Sequence, residues 1–325
     1  MEYTRLGTSG LEVSSVVVGC MSFGDPARSR PPWSLPLGES RVVIARALEL
    51  GITTFDTANV YSAGSSEEIV GQVLGELAKR EDVVIATKVH GRMRPGPGGA
   101  GLSRGAILHE IDQSLRRLRT DYVDLYQIHR FDPLVPIEET MEALHDVVKA
   151  GKARYIGASS MFAWQFAQMQ HAAAMNGWTQ FVSMQDQYNL ISREEEREMH
   201  PFCLDQGVGV LPWSPLARGK LTRPSGTATK RSVSDEFGKT LYRQTEESDG
   251  QVAEAVAQVA AARHVSRAQV ALAWVAQQPA VTAPIVGATR PQHLEDAVAA
   301  VQLQLSDEEL DRLQRHYVPH AIEGF

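Results

Sequence analysis

The stretch ITTFDTANVY, residues 52–61, joins a short strand to two chemically active side chains. Residues 52–55 are β-branched or aromatic, a composition that favours a buried β-strand. Asp56 stands at the end of this run, and Tyr61 follows five residues later. The stretch therefore predicts a strand whose carboxyl end carries an acid and lies near a phenol.

Two later apolar runs end in the same way, each on a polar residue. The run VVIATK ends in Lys88, and the run YVDLYQIH ends in His129. If these runs are parallel strands of one sheet, their carboxyl ends meet at the same edge of that sheet. We therefore expect Asp56, Tyr61, Lys88 and His129 to form one site that handles a proton.

The number of strand-like runs indicates the fold class. Such runs cover residues 15–20, 52–56, 83–88, 122–128, 154–158, 181–184, 208–212 and 281–286. Most are followed by a helical pattern, and this repetition predicts an α/β fold with a parallel sheet covered by helices. Eight units predict closure into a (β/α)8 TIM barrel, in which the chemistry lies at the carboxyl ends of the strands.

Helical patterns connect the strands and follow the last one. They cover residues 41–50, 67–78, 103–118, 137–150, 163–176, 193–206, 291–301 and 306–316. Ser40 and either Ser65 or Ser66 are the expected caps of the first two helices, because a hydroxyl can accept a hydrogen bond from a free backbone N–H. Ser306 and Glu309 have the spacing of a capping box at the start of the last helix.

Three segments interrupt this rhythm. The turn-forming residues 7–10 predict a small hairpin before the first strand. Residues 214–250 are rich in Ser, Thr, Gly, Arg and Lys, and we expect a long mobile loop over the end of the seventh strand. Two alanine-rich helical patterns in residues 251–278 precede the eighth strand. Residues 1–325 are predicted to form a single barrel domain.

Composition argues against several classes of protein. The 325 residues are 43% hydrophobic and 22% charged, as in an ordinary globular protein. The net charge is −7 and the basic residues are scattered, so we do not expect nucleic acid as a partner. No apolar run approaches the length of a membrane span, and no cluster has the spacing of metal ligands. Two distant cysteines, Cys20 and Cys203, predict a reducing, cytoplasmic compartment.

A glycine-rich motif at residues 96–101 matches GxGxxG, the fingerprint of dinucleotide-binding folds. That fingerprint has its first glycine directly after a strand, whereas residues 90–95 intervene here. Pro97 also lacks the backbone N–H that a phosphate would need. We interpret this motif as a flexible loop.

Each strand-end residue also has a structural explanation when it is considered alone. Asp56 suits a helix cap, and Tyr61 suits simple packing. Lys88 suits a solvated strand tip, and His129 suits a loop. Together they make a coherent acid, because a nearby Lys88 ammonium should lower the tyrosine pKa from about 10. Asp56 should keep that lysine charged, and His129 could orient the substrate oxygen.

Longer motifs surround these residues. They are residues 51–61 with 66–71, residues 114–118 with 121–125, residues 185–190 and residues 213–219. In this order they resemble the signature of the aldo-keto reductase family, and the resemblance covers essentially the whole chain. Within the family, residues 159–165 and 193–199 are similar to the aryl-alcohol-dehydrogenase-like branch.

The resemblance implies an NADP-dependent reductase that does not use a Rossmann fold. Tyr61 would be the general acid, with Lys88, Asp56 and His129 in support. The residues implied for the cofactor are Gly19, Met21, Asp56, Ser159, Ser160, Gln185, Trp213, Ser214, Pro215, Leu216, Ala217, Gly219, Lys220, Gly287, Thr289, Arg290, His293 and Asp296.

Parts of this set have separate implied roles. Ser159, Ser160 and Gln185 would hold the nicotinamide carboxamide, and Trp213 would stack on the nicotinamide ring. Residues 214–220 would cradle the pyrophosphate.

Arg290 has an implied role at the other end of the cofactor. It stands just before a helix and would bind the 2′-phosphate, which favours NADP(H) over NAD(H). Two positions depart from the family pattern. Ala297 stands where many members have Asn, which affects the adenine contacts, and Ser160 replaces an Asn that is common elsewhere.

The expected partner is a small-molecule aldehyde or ketone, with an aromatic aldehyde as the preferred case. Phe23 and Trp33 are candidates for the pocket wall, with packing in a loop as the equal alternative. Two other functions compete with the reductase. One is an NADPH-binding regulatory subunit with little activity, and the other is a barrel aldolase in which Lys88 forms a Schiff base. The sequence leaves the oligomeric state open.

Overall fold

The β-strands form a small hairpin and one larger sheet. The computed structural model describes residues 1–28, 33–224, 227, 236–242 and 245–322. Within these ranges the strands are β1 (Tyr3–Arg5), β2 (Glu12–Ser14), β3 (Val17–Gly19), β4 (Thr54–Asp56), β5 (Val84–Val89), β6 (Val123–Ile128), β7 (Ala153–Ser159), β8 (Phe181–Gln185), β9 (Gly209–Val210) and β10 (Ile285–Gly287). β1 and β2 pair antiparallel, and the other strands are parallel in the order β10-β3-β4-β5-β6-β7-β8-β9.

Hydrogen bonds between the two ends of the larger sheet close it into a ring. The Thr282 N–H donates to the Val210 carbonyl oxygen at 2.9 Å, and the Ile285 N–H donates to the Pro212 carbonyl oxygen at 2.9 Å. Every strand of the sheet therefore has a neighbour on both sides. This closure confirms the predicted (β/α)8 barrel, and the hairpin β1–β2 confirms the predicted N-terminal addition.

The hairpin lies across the amino end of the ring. Its buried residues Leu6, Leu11 and Val13 belong to one apolar cluster with Val17 and Leu125 from the strands. Apolar packing fills this end, so the polar side chains of the barrel interior are concentrated at the carboxyl ends of the strands.

Helices cover the outside of the ring. In the described part of the chain they are Leu37–Glu49, Ser65–Leu77, Arg104–Leu118, Ile137–Lys149, Ala163–Asn176, Met199–Gln206, Glu236–Leu241, Glu246–Arg263, Arg267–Ala276, Pro291–Ala300 and Asp307–Gln314. Short 3₁₀ turns are Cys20–Ser22, Tyr61–Gly64, Arg80–Asp82, Glu194–Glu196 and Ala217–Thr222. The predictions for residues 103–118, 137–150 and 163–176 agree to within one residue at each end. Ser306 and Glu309 form the predicted capping box.

The predicted caps of the first two helices are wrong. The first helix begins one turn before Ser40, and Pro36 occupies the N-cap position. The fixed φ of proline is suited to the start of a helix, and the Ser40 hydroxyl donates to a carbonyl of the preceding loop instead. The second helix includes Ser65 and Ser66, and its N-cap is Gly64 in the left-handed region, with φ of 87°.

Two other boundaries differ from prediction. The helix expected over residues 193–206 begins at Met199, after the turn Glu194–Glu196. The segment 214–250 is only partly a loop, because the helix Glu236–Leu241 and the start of Glu246–Arg263 lie within it. Within this segment, residues 225–226, 228–235 and 243–244 lie outside the described residues. The same is true of Pro31 and Pro32 in the first loop.

The helix Ser65–Leu77 packs closely on the end of the helix Arg104–Leu118. At Gly71, a Cβ atom would come within 2.3 Å of the Leu118 carbonyl oxygen, so only glycine permits this approach. The same two helices share the ion pair of Glu67, which is fully buried, with Arg117. This contact holds the helix that directly follows Tyr61.

Gly71→Ala should destabilise the protein because the added methyl group meets backbone atoms. We expect the free energy of unfolding to fall by about 1–3 kcal/mol. Gly75 in the same helix is the matched control, since nothing lies within 4 Å of its added Cβ. There, Ala should raise stability by about 0.5–1 kcal/mol. Denaturant unfolding measures both changes, and equal effects at the two positions would contradict the close contact.

Candidate active site

The pair of Lys88 and Asp56 forms the centre of the polar end of the barrel. The Lys88 side chain is fully buried, and that of Asp56 is 3% exposed. The Lys88 ammonium donates to Asp56 Oδ1, and to the Thr57 carbonyl oxygen at 2.8 Å. It also donates to the Tyr61 hydroxyl at 3.4 Å. The strand ends therefore bring the acid, the amine and the phenol together.

The second oxygen of the Asp56 carboxylate accepts two side-chain hydrogen bonds. Gln127 Nε2 donates to Asp56 Oδ2 at 3.0 Å, and Gln185 Nε2 donates to it at 2.9 Å. Gln185 Nε2 also lies 3.2 Å from Gln127 Oε1. Since these residues come from β4, β6 and β8, the carboxylate ties together three separated strands.

Gln127 was missed by the sequence analysis, although a signal for it exists. It lies two residues before His129, so both side chains point to the same face of their strand. It is also the register partner of Lys88 across the neighbouring strand. A polar side chain on a buried strand, two residues from a predicted site residue, therefore indicates a further residue of the same site.

Tyr61 and His129 face each other at the mouth of the barrel. Their ring centroids are 5.7 Å apart with an interplanar angle of 79°. Tyr61 begins a 3₁₀ turn in which Ser62 and Ala63 have φ of 48° and 52°. Non-glycine residues seldom adopt this region, and such strain is concentrated at functional sites.

Burial sets the protonation of these groups. It raises the pKa of Tyr61, and the positive charge of Lys88 opposes that shift without cancelling it. The expectation of a lowered tyrosine pKa therefore does not hold here, because the loss of solvation outweighs the ammonium. Burial works to lower the pKa of Lys88, but Asp56 and Tyr61 outweigh it, so this pKa is raised.

His129 is neutral at physiological pH. Burial holds its pKa well below the usual range, and the positive charges of Lys88 and Arg130 act in the same direction. A neutral imidazole has one N–H donor and one acceptor nitrogen. It can therefore donate a hydrogen bond to an oxygen that lies beside Tyr61.

The residues expected to hold the cofactor lie around the rest of the same barrel end. Ser159 ends β7 and Gln185 ends β8, and Gly19 and Gly287 are register partners at the ends of β3 and β10. The Trp213 indole N–H, just beyond β9, donates to the Ser160 hydroxyl at 3.0 Å. In ring order, the groups around Asp56, Lys88 and His129 thus lie at the ends of β4 to β6, and this second set continues from β7 round to β3.

The loop after β9 has an unusual backbone. Ser214, Ala217, Arg218 and Gly219 all have φ between 47° and 95°. These residues make tight turns, in which the Ala217 N–H donates to the Ser214 carbonyl oxygen at 2.9 Å and the Gly219 N–H donates to the Leu216 carbonyl oxygen at 2.8 Å. The Asn189 side-chain amide donates to the Ser214 carbonyl oxygen at 3.0 Å and fixes the loop to the barrel.

The remaining predicted positions lie beside this loop or at β10. Lys220 is exposed, with Nζ 5.6 Å from the ring centroid of Tyr242. Pro215 and Leu216 lie in the same loop, and Met21 is partly exposed after β3.

Arg290 is exposed at the N-cap position of the helix Pro291–Ala300. Behind it, the Thr289 N–H donates to His293 Nδ1 at 3.3 Å. Asp296 accepts a hydrogen bond from Gln269 at 3.0 Å, so it contacts a neighbouring helix in this structure.

One suggested pocket residue is wrong. Phe23 is fully buried in the main hydrophobic core, so it cannot line an open pocket. An aromatic rim lies elsewhere, on the loop after β6 and at the start of the helix Ala163–Asn176. There, Phe131 and Trp164 have ring centroids 6.3 Å apart, and Trp164 and Phe162 are exposed.

The comparisons with known proteins identify the family. The sequence model of the Aldo/keto reductase family matches residues 15–318. The chain belongs to the aldo/keto reductase family. Members are oxidoreductases that reduce small-molecule carbonyl compounds with a nicotinamide cofactor, so the catalytic class of this chain is shown.

Relatives of known name are similar over their full length. The chain is 47% identical to the versiconal hemiacetal acetate reductase of Aspergillus parasiticus, covering 99% of this chain and 98% of the relative. It is 42% identical to a putative aryl-alcohol dehydrogenase of Schizosaccharomyces pombe, over 99% and 97%. A putative aryl-alcohol dehydrogenase of Saccharomyces cerevisiae is 40% identical, over 98% of both chains.

Further findings concern the rival aldolase, membrane spans and metal sites. A protonated lysine is a poor nucleophile, so the pairing of Lys88 with Asp56 disfavours a Schiff-base aldolase. Within the described ranges, no helix has both the length and the apolar character of a membrane span, and no cluster of at least three His, Cys, Asp or Glu residues could hold a metal ion.

Replacing one partner of the buried ion pair should lower the free energy of unfolding more than replacing both partners. Lys88→Met leaves an unpaired carboxylate in the interior, and we expect the free energy of unfolding to fall by about 3–5 kcal/mol. The double variant with Asp56→Asn should lose less than Lys88→Met alone, because no charge stays buried. Denaturant unfolding of the two single variants and the double variant tests this, and additive losses would show that the pair is not coupled.

Proposed function

We propose that this reductase reduces an aldehyde or ketone to the alcohol with NADPH, using Tyr61 as the general acid. The preferred substrate is an aromatic aldehyde. The observation that carries the proposal is the approach of the Lys88 ammonium, fixed by Asp56, to within 3.4 Å of the Tyr61 hydroxyl. A phenol next to a permanent cation can give up its proton because the phenolate is stabilised as it forms.

The protein groups divide the work of carbonyl reduction. The reduced nicotinamide supplies a hydride to the carbonyl carbon when it is bound. His129, being neutral, donates a hydrogen bond that directs the carbonyl oxygen towards Tyr61. Burial keeps the Tyr61 phenol protonated until charge develops on that oxygen, and the phenol then donates its proton to complete the alcohol. Lys88 stabilises the phenolate that remains.

The residues around the second part of the barrel mouth fit a nicotinamide nucleotide. A carboxamide needs one donor and one acceptor from the protein. The Ser160 hydroxyl, which accepts from Trp213, can still donate, and Gln185 Oε1 can still accept although its Nε2 is engaged with Asp56. The exposed Lys220 ammonium, next to the loop 214–219, supplies a positive charge for a pyrophosphate.

Arg290 supports NADPH over NADH. Its guanidinium is exposed at the start of a helix, where backbone N–H groups and the helix dipole also favour an anion. A 2′-phosphate is the group that distinguishes the two cofactors, and a guanidinium binds phosphate through two parallel hydrogen bonds.

The aromatic preference rests on two observations. The Phe131–Trp164 pair supplies an exposed aromatic surface beside the strand that carries His129. Two relatives are named as putative aryl-alcohol dehydrogenases. We further propose that residues 1–325 act as one domain and that the protein works in the cytoplasm, in keeping with two buried, unpaired cysteines.

Replacing Tyr61 by Phe removes the proposed acid and preserves the ring. We expect kcat for benzaldehyde reduction to fall by about 10²- to 10⁴-fold. NADPH affinity should be unchanged, because Tyr61 is not among the residues proposed to hold the cofactor. Stopped-flow oxidation of NADPH and a fluorescence titration measure these two quantities. Wild-type turnover in the variant would mean that another group is the acid.

Replacing Arg290 by Leu should weaken NADPH binding selectively. Loss of a charge-assisted hydrogen bond to the 2′-phosphate should raise the dissociation constant for NADPH by about 10- to 100-fold. The dissociation constant for NADH should stay the same, as should both constants in the control Arg312→Leu, another exposed arginine. If both cofactors weaken equally, Arg290 does not read the 2′-phosphate.

A further inference from the structure

Arg130 is a partly buried cation beside the proposed acid. It directly follows His129 at the end of β6, and its NH1 donates to the His129 carbonyl oxygen at 2.6 Å. Across the part of the chain that the structure describes, no carboxylate lies within ion-pair distance of the guanidinium. The positive charge thus lies at the mouth of the site without a counter-ion from these residues.

This situation differs from that of three other partly buried arginines. Arg80, Arg117 and Arg193 have side chains that are 22%, 18% and 14% exposed, and each contacts a carboxylate. Such pairing is the usual arrangement, since a buried cation without a partner is costly. Arg130 has no carboxylate partner among the described residues, and it lies at the mouth of the site, where a ligand is expected to enter.

The groups around Arg130 do not neutralise it. Lys88 and Asp56 form a pair with no net charge, and His129 is neutral. Burial lowers the pKa of Arg130 itself. The charge of Arg130 opposes the rise in the pKa of Tyr61 and adds to the fall in the pKa of His129. The proposed substrate position therefore has a positive potential on the side of Arg130.

We propose that Arg130 is a specificity residue that binds a carboxylate on the substrate, so that the enzyme prefers carbonyl compounds bearing an acid group. This inference rests on the proposed reduction at Tyr61. A guanidinium has five N–H donors, and the contact with His129 uses one of them. The others can bind a carboxylate through two parallel hydrogen bonds. The neighbouring Phe131–Trp164 pair suits an aromatic acid.

The test compares an acid with its uncharged ester. The probes are 4-carboxybenzaldehyde and methyl 4-formylbenzoate, together with their 3-substituted isomers. The acid-to-ester ratio of kcat/KM is compared between proteins, because the intrinsic reactivity of the two aldehydes differs. For at least one isomer pair, Arg130→Met should lower this ratio by about 10- to 100-fold, the effect of losing a charge-assisted hydrogen bond. The ester should lose much less of its kcat/KM than the acid, because it makes no ion pair with Arg130.

Two further variants separate recognition from structure. Arg130→Lys retains the charge and should retain part of the preference for the acid. Arg92→Met removes an exposed arginine from the loop after β5 and should leave the ratio unchanged. An equal loss for acid and ester in Arg130→Met would assign Arg130 a structural role through His129 and overturn the proposal. An unchanged ratio would overturn it as well.

A binding measurement separates failure of this inference from failure of the proposed function. If the wild-type enzyme reduces none of the aldehydes with NADPH, the proposed reduction of aromatic aldehydes is wrong. Calorimetric titration of the enzyme–NADP complex with 4-(hydroxymethyl)benzoate, its 3-isomer and their methyl esters then decides the role of Arg130 without turnover. Tighter binding of an acid, lost in Arg130→Met, supports the carboxylate subsite, and equal binding of acid and ester for both isomers refutes it.

Discussion

The buried ion pair of Lys88 with Asp56 is the interaction on which the site depends. Removing two charges from water costs several kcal/mol per ion, and the attraction between them offsets that cost only with good geometry and additional hydrogen bonds. Here Lys88 donates to the Thr57 carbonyl oxygen, and Gln127 and Gln185 donate to Asp56. Since the two glutamines come from β6 and β8, the arrangement of the strands supplies the hydrogen bonds that stabilise the pair.

Tyr61 experiences two opposing effects from this arrangement. Burial favours the neutral phenol, and the Lys88 ammonium favours the phenolate. A general acid needs both effects, since it must hold its proton at rest and release it when an alkoxide forms nearby. Asp56 keeps the ammonium protonated, so its positive charge stays beside the phenol.

Much of the fold and of the candidate site could be predicted from the sequence, because a strand and the residue at its end are neighbours in the chain. A β-branched run that ends on Asp56, Lys88 or His129 contains both the strand and its chemistry, and parallel pairing brings the ends together. Gln127 could have been found in the same way, because it lies two residues before His129 on the same face of the strand. The barrel class followed from the number of units.

Other features could not be predicted because they depend on the surroundings. The start of the first helix was misjudged because Pro36 and Ser40 are both plausible at that point, and only the path of the preceding loop decides between them. The burial of Phe23 and the direction of the Tyr61 pKa shift both depend on how much water the neighbours exclude. The sequence around a residue does not show how much water its neighbours in the folded protein exclude.

The hairpin of β1 and β2 has a kinetic consequence. It seals the amino end of the ring with Leu6, Leu11 and Val13, so the interior communicates with solvent from the opposite end. Two reactants that meet there must pass through a shared entrance. In the proposed reduction, the reactant that lies deeper would then bind first and leave last, so a closed amino end favours an ordered catalytic cycle.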